Sequence, residues 1–333
     1  MKMRILSFLS AWILLSLSVL LCGCGNSQRK TAEFWSMGTA VTVTLYGSDA
    51  AAAAGSALAE STLAELDGLW SLNHADSDIS RLNASDDGIS NADEGTVALV
   101  RQAQELSALT GGSFDITLAP LSALWQECGK ADRLPTAEEI SVRLAHVGTA
   151  ALTADGKALG KPEGTEVDLG AIAKGAAVAI LAEKLSAVDG IRGGLISMGS
   201  CVVGFGAKPD GKPFRVSVRD PKKRNEIAGT LTLEAGQVLS VSGDYERFVT
   251  IGGKNYHHIL DPATGYPSDS GLSSVAVIAQ DGPTADALST ALMVMGEDAA
   301  RSLYRSGKLA FEAVFFRCDG TISVTDHIGF QKQ

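Results

Sequence analysis

The sequence predicts an α+β fold: one compact unit, with a bilobal arrangement left open, in which mixed or antiparallel sheets carry flanking helices. Three observations predict this class. Helical apolar spacing concentrates early in the chain, strand-like alternation dominates later, and further helices are inserted among the last strands. The 333 residues are 45% apolar and 20% charged, which suffices for a well-buried core. No repeat, low-complexity tract or clear interdomain linker divides the chain.

The early segments predict one strand and four helices. Residues 34–46 contain the alternating run AVTVTLY, which is typical of a strand. The Ala-rich residues 49–70 predict a helix with Asp49 as its cap, and a loop rich in Asn, Asp and Ser follows. Further helices are predicted at residues 94–109, 135–146 and 172–185.

The later segments are mostly strands, separated by Gly and Asp-Pro elements. A helix with Thr284 as N-cap is predicted after the strand SSVAVIA. The predicted strands are LISMGSCVVGFG, FRVSVRD, GTLTLEA, QVLSVSG, RFVTI, NYHHIL, SSVAVIA, AFEAVFF and TISVTD.

The N-terminus predicts export and a lipid anchor. Lys2 and Arg4 precede an uncharged, mostly apolar stretch to about residue 21, which is typical of a signal peptide. The following Leu-Cys-Gly-Cys resembles a bacterial lipobox, so we expect cleavage before Cys24 and lipid on its sulfur. Residues 1–23 are then signal peptide, 24–32 lipidated Cys24 and tether, and 33–330 the folded domain. Cys22 fits poorly because Leu21 would precede it directly. An uncleaved membrane anchor is the alternative, and both place the domain at the membrane, outside the cytoplasm.

Charge and cysteine content limit the function classes. The formal net charge of −10 argues against nucleic acid, which is bound through a basic face. A phosphate-rich ligand would need a metal, a lysine or backbone N–H groups. Cys128, Cys201 and Cys318 lack metal-type spacing. Buried free thiols are expected, and a disulfide stays possible in an oxidising compartment.

Two segments offer groups for a cation and a phosphate. Asp286 and Thr290 lie four residues apart on a predicted helix, so their oxygens share a face and suit Mg²⁺. Taken in isolation, the pair is more typical of an Asp that favours the helix dipole and a Thr that bonds to the backbone. In the segment VDLGAIAKG, Asp168 precedes Lys174, which can supply positive charge to a phosphate. Capping and solvation are the structural alternative there.

Two further segments contain candidate site residues. In HHILDPATGYP, His257 and His258 point to opposite faces of a strand, so one can be structural and the other can face a site as a general base. Adjacent histidines on a strand cannot share one metal, which argues against zinc. In GGSFDITLAPLSALW, Phe114 and Trp125 are core candidates, and Asp115 needs a partner if it is buried.

Seven segments together resemble one family. They are SMGT, SDISRLN, GSFDITLAPLSALW, VDLGAIAKG, SVSGDYERF, HILDPATGYP and ADALSTALMVMG, in this order. In this series the chain resembles the FAD:protein FMN transferases, the ApbE-type flavin transferases, over residues 34–303. Many members of that family are exported lipoproteins, which fits the N-terminus.

The resemblance implies an ApbE-like domain that transfers FMN from its substrate FAD to a Thr or Ser hydroxyl of an exported acceptor flavoprotein, with Mg²⁺ as cofactor and AMP released. Redox-pump subunits are the acceptors that the family suggests. The resemblance assigns the metal to Asp286, Thr290 and the carbonyl of Ala171, and the activation of the acceptor hydroxyl to His258. The FAD-binding residues would be Met37, Asn73, Ser113, Phe114, Asp115, Asp168, Lys174 and Leu260.

The sequence departs from the family pattern at two places. Asn73 stands where many members have an aromatic residue that stacks on the flavin, and His74 or Trp70 could substitute. Gly199-Ser200-Cys201 replaces the family's Gly-Gly-Asn. Alternative functions are an FAD pyrophosphatase that uses the same site with water, a non-catalytic flavin-binding lipoprotein, and a solute-binding lipoprotein. The last typically needs two hinged α/β lobes, which this order of elements does not predict.

Overall fold

The computed structural model describes residues 28–223 and 225–333. The predicted signal peptide, Cys24 and the first part of the predicted tether lie outside the described residues. Across the part that is described, none of the helices combines the length and the apolar character needed to cross a membrane.

Eight α-helices are described. They are α1 (Asp49–Trp70), α2 (Asp78–Ala84), α3 (Glu94–Leu109), α4 (Ala119–Lys130), α5 (Ala137–Leu144), α6 (Ala173–Ser186), α7 (Gly282–Met295) and α8 (Glu297–Ser306).

The strands are β1 (Gln28–Ser36), β2 (Thr39–Gly47), β3 (Gly88–Ile89), β4 (Thr153–Asp155), β5 (Ala158–Gly160), β6 (Ile191–Met198), β7 (Cys201–Gly206), β8 (Phe214–Arg219), β9 (Ile227–Leu233), β10 (Val238–Gly243), β11 (Phe248–Ile251), β12 (Lys254–His257), β13 (Leu272–Ala279), β14 (Glu312–Arg317), β15 (Ile322–Val324) and β16 (Phe330–Lys332).

An eight-stranded antiparallel sheet forms the frame, in the order β1-β2-β6-β7-β10-β13-β14-β15. Helices α1, α6 and α7 cover one face, and the three-stranded sheet β16-β9-β8 covers the other. All residues of β13 are buried because both faces of this central strand are covered. The predicted α+β class is therefore confirmed, and the pairings between described strands are antiparallel.

A smaller third layer lies beside this frame. Helices α4 and α5 pack with the β11–β12 hairpin around their own apolar cluster, which includes Leu121, Trp125 and Ile140. The Trp125 indole N–H donates to the carbonyl of Gly265 at 2.9 Å and so joins this layer to the HILDPATGYP turn. This layer positions residues 258–260, which follow β12, next to one end of the main sheet.

The predicted strand at residues 34–46 is instead a hairpin. Ser36 pairs with Thr39 across a two-residue turn, in which Met37 (φ 47°) and Gly38 (φ 70°) are both left-handed. Strand β1 also takes in residues 28–32, which the sequence suggested were tether. In the same way, LISMGSCVVGFG is two strands, β6 and β7, joined at Gly199 and Ser200.

Several helix boundaries differ from the prediction. Ser48, not Asp49, caps α1, and Asp281, not Thr284, caps α7, because each of these side chains accepts a backbone N–H of the first turn. Helix α2 occupies part of the predicted Asn- and Ser-rich loop, and α4 and α8 were not predicted. Helix α2 is short, and its Ser77 cap lies in a polar stretch that is also typical of a loop, so the sequence pattern did not indicate a helix.

Candidate functional site

A cleft of about 590 Å³ opens at one end of the main sheet. It lies where the β1–β2 turn, the β6–β7 turn and β10 meet the start of α6, the first half of α7 and the edge strand β8. Its volume is in the range of small-molecule and cofactor sites. The opposite end of the sheet holds the beginning of β1.

An unusually close contact between α6 and α7 forms the base of the cleft. A Cβ atom on Gly175 would lie 2.1 Å from the carbonyl oxygen of Gly282 and 2.7 Å from Cβ of Asp286. A Cβ on Gly282 would lie 2.1 Å from the carbonyl oxygen of Gly175. Only glycine at both positions permits this approach, which brings Asp286 against the first turn of α6.

The Asp286 carboxylate is buried and held by neutral donors on both oxygens. Its side chain is 4% exposed. Oδ2 accepts the Gly175 N–H at 3.0 Å, and Oδ1 accepts the Ser240 hydroxyl at 2.8 Å. The Cys201 thiol lies 3.3 Å from Oδ1. Burial, followed by the Asp286 charge, raises the pKa of this thiol well above its usual range, so Cys201 is a neutral thiol here.

Lys174 provides the positive charge next to this carboxylate. Its Nζ lies 3.8 Å from Asp286 Oδ2 and donates to the Gly170 carbonyl at 2.7 Å. Burial is the largest single effect and would lower the pKa of Lys174, but the nearby acidic groups, Asp286 first among them, together outweigh it and the pKa is raised. Lys174 is therefore charged at neutral pH.

The donor atoms around Asp286 fit a hard divalent cation. Asp286, Thr290 and Ala171 all line the cleft. Within residues 28–223 and 225–333, no donor hydrogen-bonds to the Ala171 carbonyl, because its usual helical partner, the Gly175 N–H, turns to Asp286. In the same part of the chain no three His, Cys, Asp or Glu side chains are grouped for a metal. A carboxylate, a hydroxyl and a free carbonyl are the few protein ligands that Mg²⁺ takes beside a phosphate.

His258 faces the cleft from the other side. Its Nδ1 lies 3.1 Å from the carbonyl oxygen of Arg247, so Nδ1 carries the proton and Nε2 keeps its lone pair. Desolvation in the concave site, together with nearby Arg247, lowers the pKa of His258 to about 4. The imidazole is neutral at pH 7 and can accept a proton. Its neighbour His257 turns away and contacts the Ser268 carbonyl at 3.0 Å.

The charged side chains of the cleft nearly cancel. Among the described residues that line it, four carboxylates (Asp115, Asp168, Glu246 and Asp286) face three basic groups (Lys174, Arg219 and Arg247). A diphosphate would enter a site whose described side chains have one negative charge in excess, which favours a bound cation as a third partner.

Nine of the twelve residues that the family resemblance assigned to the site line this one cleft. Phe114 does not, because it is 1% exposed in the main core between two cleft residues. Met37 packs against the same core, two residues before Thr39, which does line the cleft. The nine are Ser113, Asp115, Asp168, Ala171, Lys174, His258, Leu260, Asp286 and Thr290.

The loop expected to stack on the flavin also lies off the cleft. Asn73 is exposed in a turn after α1, and His74 contacts Asp67 at 3.3 Å on the surface. Trp70 is buried, and its indole N–H donates to Thr96. None of the three is among the residues that line the cleft.

Several residues of the motifs that carry the family resemblance support the site rather than form it. The Asn83 amide makes two hydrogen bonds, each 2.8 Å, to the backbone of Val167 and so fixes the chain just before Asp168. The Asp168 N–H donates to the Ile116 carbonyl at 2.8 Å. Asp115 is half-buried, and its carboxylate accepts the N–H groups of Thr117 and Thr149.

A row of serine hydroxyls was missed from the sequence. Ser240 and Ser242 lie two apart on β10 and so share a face. Ser242 contacts Ser289 at 2.8 Å and Thr290 at 3.2 Å. The alternation of SVSG could have predicted that both hydroxyls share one face of β10, but not that this face meets α7.

The described cysteines are free. Cys128 and Cys201 are buried, as expected, whereas Cys318 is exposed. No disulfide joins any of these three.

Comparison with known proteins gives one consistent result. Residues 37–315 match the model of the ApbE family. A FAD:protein FMN transferase of Vibrio cholerae is 33% identical over 264 residues, 78% of this chain and 78% of that protein. One from Klebsiella pneumoniae is 33% identical over 316 residues, 89% of each chain.

Solved structures agree with the sequence matches. The ApbE protein of Thermotoga maritima aligns with a TM-score of 0.82 at 30% identity, covering 90% of this chain and 97% of that one. The apo form of the Pseudomonas stutzeri flavinyl transferase ApbE aligns with a TM-score of 0.77 at 30% identity, covering 90% and 96%.

Proposed function

The chain belongs to the ApbE family and is an FAD:protein FMN transferase, and from this premise we propose a magnesium-dependent transfer of FMN to a Thr or Ser hydroxyl of an exported acceptor protein, with release of AMP. One observation carries the proposal. Asp286, Thr290, the free Ala171 carbonyl and Lys174 converge at the base of the cleft that His258 faces. The acceptor class that fits an exported transferase is a redox-pump type flavoprotein subunit.

The chain's own residues then divide the reaction between them. Lys174 neutralises charge on the FAD diphosphate, and His258 Nε2 takes the proton of the acceptor hydroxyl. The hydroxyl oxygen bonds to the phosphorus on the FMN side, the bond from that phosphorus to the AMP oxygen breaks, and AMP leaves. Mg²⁺ held by Asp286, Thr290 and Ala171 would supply positive charge to the diphosphate oxygens.

A gel assay tests this function. The purified protein is mixed with FAD, Mg²⁺ and a candidate exported flavoprotein subunit, and the denatured acceptor is examined for flavin fluorescence. We expect a fluorescent acceptor band that is lost with EDTA and restored by Mg²⁺. Free FMN and AMP without a band would instead indicate hydrolysis by water, and intact FAD would indicate storage; either contradicts the proposal.

We also propose that the protein is anchored by lipid on Cys24 and faces the extracytoplasmic side of the membrane. The lipobox carries this, and the position of β1 supports it, since the strand begins four residues after Cys24 at the sheet end away from the cleft.

Paired substitutions test the anchor. Cys24→Ala should abolish palmitate labelling and release the protein from the membrane fraction, whereas Cys22→Ala should keep both. Labelling that survives Cys24→Ala and is lost with Cys22→Ala would move the anchor to the earlier cysteine.

A further inference from the structure

We propose that Ser240 is a positioning residue for the cation: its hydroxyl, together with the Gly175 N–H, holds the Asp286 carboxylate so that the carboxylate and the Ala171 carbonyl face one ion. This inference rests on the metal dependence proposed above. Ser240 is not one of the proposed ligands of the cation, and its role is to hold a ligand in place.

The first step is the orientation of the carboxylate. The Ser240 hydroxyl donates to Oδ1 and the Gly175 N–H donates to Oδ2, from a strand and a helix on different sides. A carboxylate held at both oxygens by rigid elements cannot rotate about its last bond without breaking one of them. The lone pairs that remain on each oxygen are therefore fixed in direction.

The second step links the same bond to the carbonyl ligand. Because Gly175 N–H is given to Asp286, it is withheld from the Ala171 carbonyl four residues earlier. If Asp286 turned away, the helix could extend by one bond and occupy that carbonyl. Holding Asp286 in place therefore keeps two ligands available at once.

The third step is the support of Ser240 itself. Ser240 is fully buried, and its oxygen lies 3.3 Å from Ser289 Oγ and 3.4 Å from the Cys201 sulfur. The Cys201 thiol donates to the Ser240 oxygen and so occupies an acceptor position on it, while the Ser240 hydroxyl itself donates to Asp286. The hydroxyl proton is thus directed to the carboxylate.

The test measures binding of Mn²⁺ alone by electron paramagnetic resonance, without substrate. We expect Ser240→Ala to weaken Mn²⁺ binding by about tenfold or more, as loss of a hydrogen bond behind a ligand usually does. Ser240→Cys is close in shape but a weaker hydrogen-bond donor, so its Mn²⁺ affinity should lie between those of wild type and Ser240→Ala. The control is Ser273→Ala, which removes another buried serine whose hydroxyl goes to the Phe316 carbonyl and not to the site.

The outcomes separate this inference from the proposed function. Thermal unfolding of each variant shows whether it is folded. Equal Mn²⁺ affinity in wild type and a folded Ser240→Ala overturns the positioning role while leaving the metal site intact. If wild type itself binds no Mn²⁺, the metal dependence fails first. If Ser273→Ala weakens binding as much as Ser240→Ala, loss of any buried hydroxyl is responsible and the assignment is wrong.

Discussion

The two walls of the cleft differ in how their charges are satisfied. The inner wall, formed by residues 168–175, β10 and α7, holds its central carboxylate buried, with hydrogen bonds to both oxygens and a lysine beside it. The outer wall, formed by the end of β8 and residues 245–260, presents Arg219, Arg247 and His258 exposed. Neither arginine has an ion pair among the residues that the structure describes.

This difference indicates a division of work. A wall that is already paired and closely packed suits groups that stay in place, which here are the proposed cation and the diphosphate. A wall with exposed, unpaired groups suits a partner that must come and go, the acceptor protein. Substitutions on the two walls should therefore change different kinetic quantities.

The largest effect is expected on the inner wall. Asp286→Asn keeps the shape but removes the charge, so the transfer rate should fall about a thousandfold, the upper range for losing one transition-state charge contact. Flavinylation rates over a Mg²⁺ titration measure this. Near-normal rates in the folded variant would show that the cation is held elsewhere.

His258→Gln on the outer wall should lower kcat by about a hundredfold through loss of the base, with little change in the KM for FAD. His257→Gln is the matched control, because His257 faces Ser268, and its activity should stay within a few-fold of wild type. An equal loss in both variants would point to damage of the turn rather than loss of a base.

The same histidine predicts the acid side of the pH profile. Its folded pKa is lowered to about 4, so the rate should rise with pH through about 4 and be independent of this group at neutral pH. The unfolded chain binds the proton more tightly than the folded protein between that value and the ordinary one. Stability from this group therefore falls as pH drops through the same window. A rate that still rises steeply from pH 6 to 7 would contradict this pKa.

Lys174→Gln should raise the KM for FAD by about tenfold or more, because a charge-assisted contact to the diphosphate is lost. Lys184→Gln, on the same helix but on the surface beside Glu65, is the control and should be near wild type. A change confined to the KM for the acceptor would instead show that Lys174 contacts the acceptor protein and not FAD.

The smallest effect on chemistry is expected from Asn83→Ala. Two hydrogen bonds to Val167 are lost, which should cost about 1–3 kcal/mol of stability and lower the Tm, while transfer stays within a few-fold. Thermal unfolding and a transfer assay well below the Tm measure both. An unchanged Tm would show that the segment before Asp168 is held without this amide.

The two walls were also unequally predictable from the sequence. The helical spacing of Asp286 and Thr290 predicts that they share one face of α7, and in the structure both residues line the cleft. Ser240 and the Gly175–Gly282 contact join segments far apart in the chain, so no local pattern could pair them. Asn73 shows the reverse problem: a position matched to a family motif lies outside this cleft, because the turn after α1 packs on the surface.

The hairpin β1–β2 forms one edge of the main sheet, and its length also sets the distance between the N-terminal end of β1 and the cleft. Its first strand has nine residues, so it rises about 30 Å between the end nearest Cys24 and the mouth of the cleft. The four peptide units between Cys24 and Gln28 add at most about 14 Å. Under the proposed lipidation, these two lengths together limit how far from the bilayer the mouth of the cleft can lie, and proteins whose target hydroxyl cannot come within that distance would go unmodified whatever their local sequence.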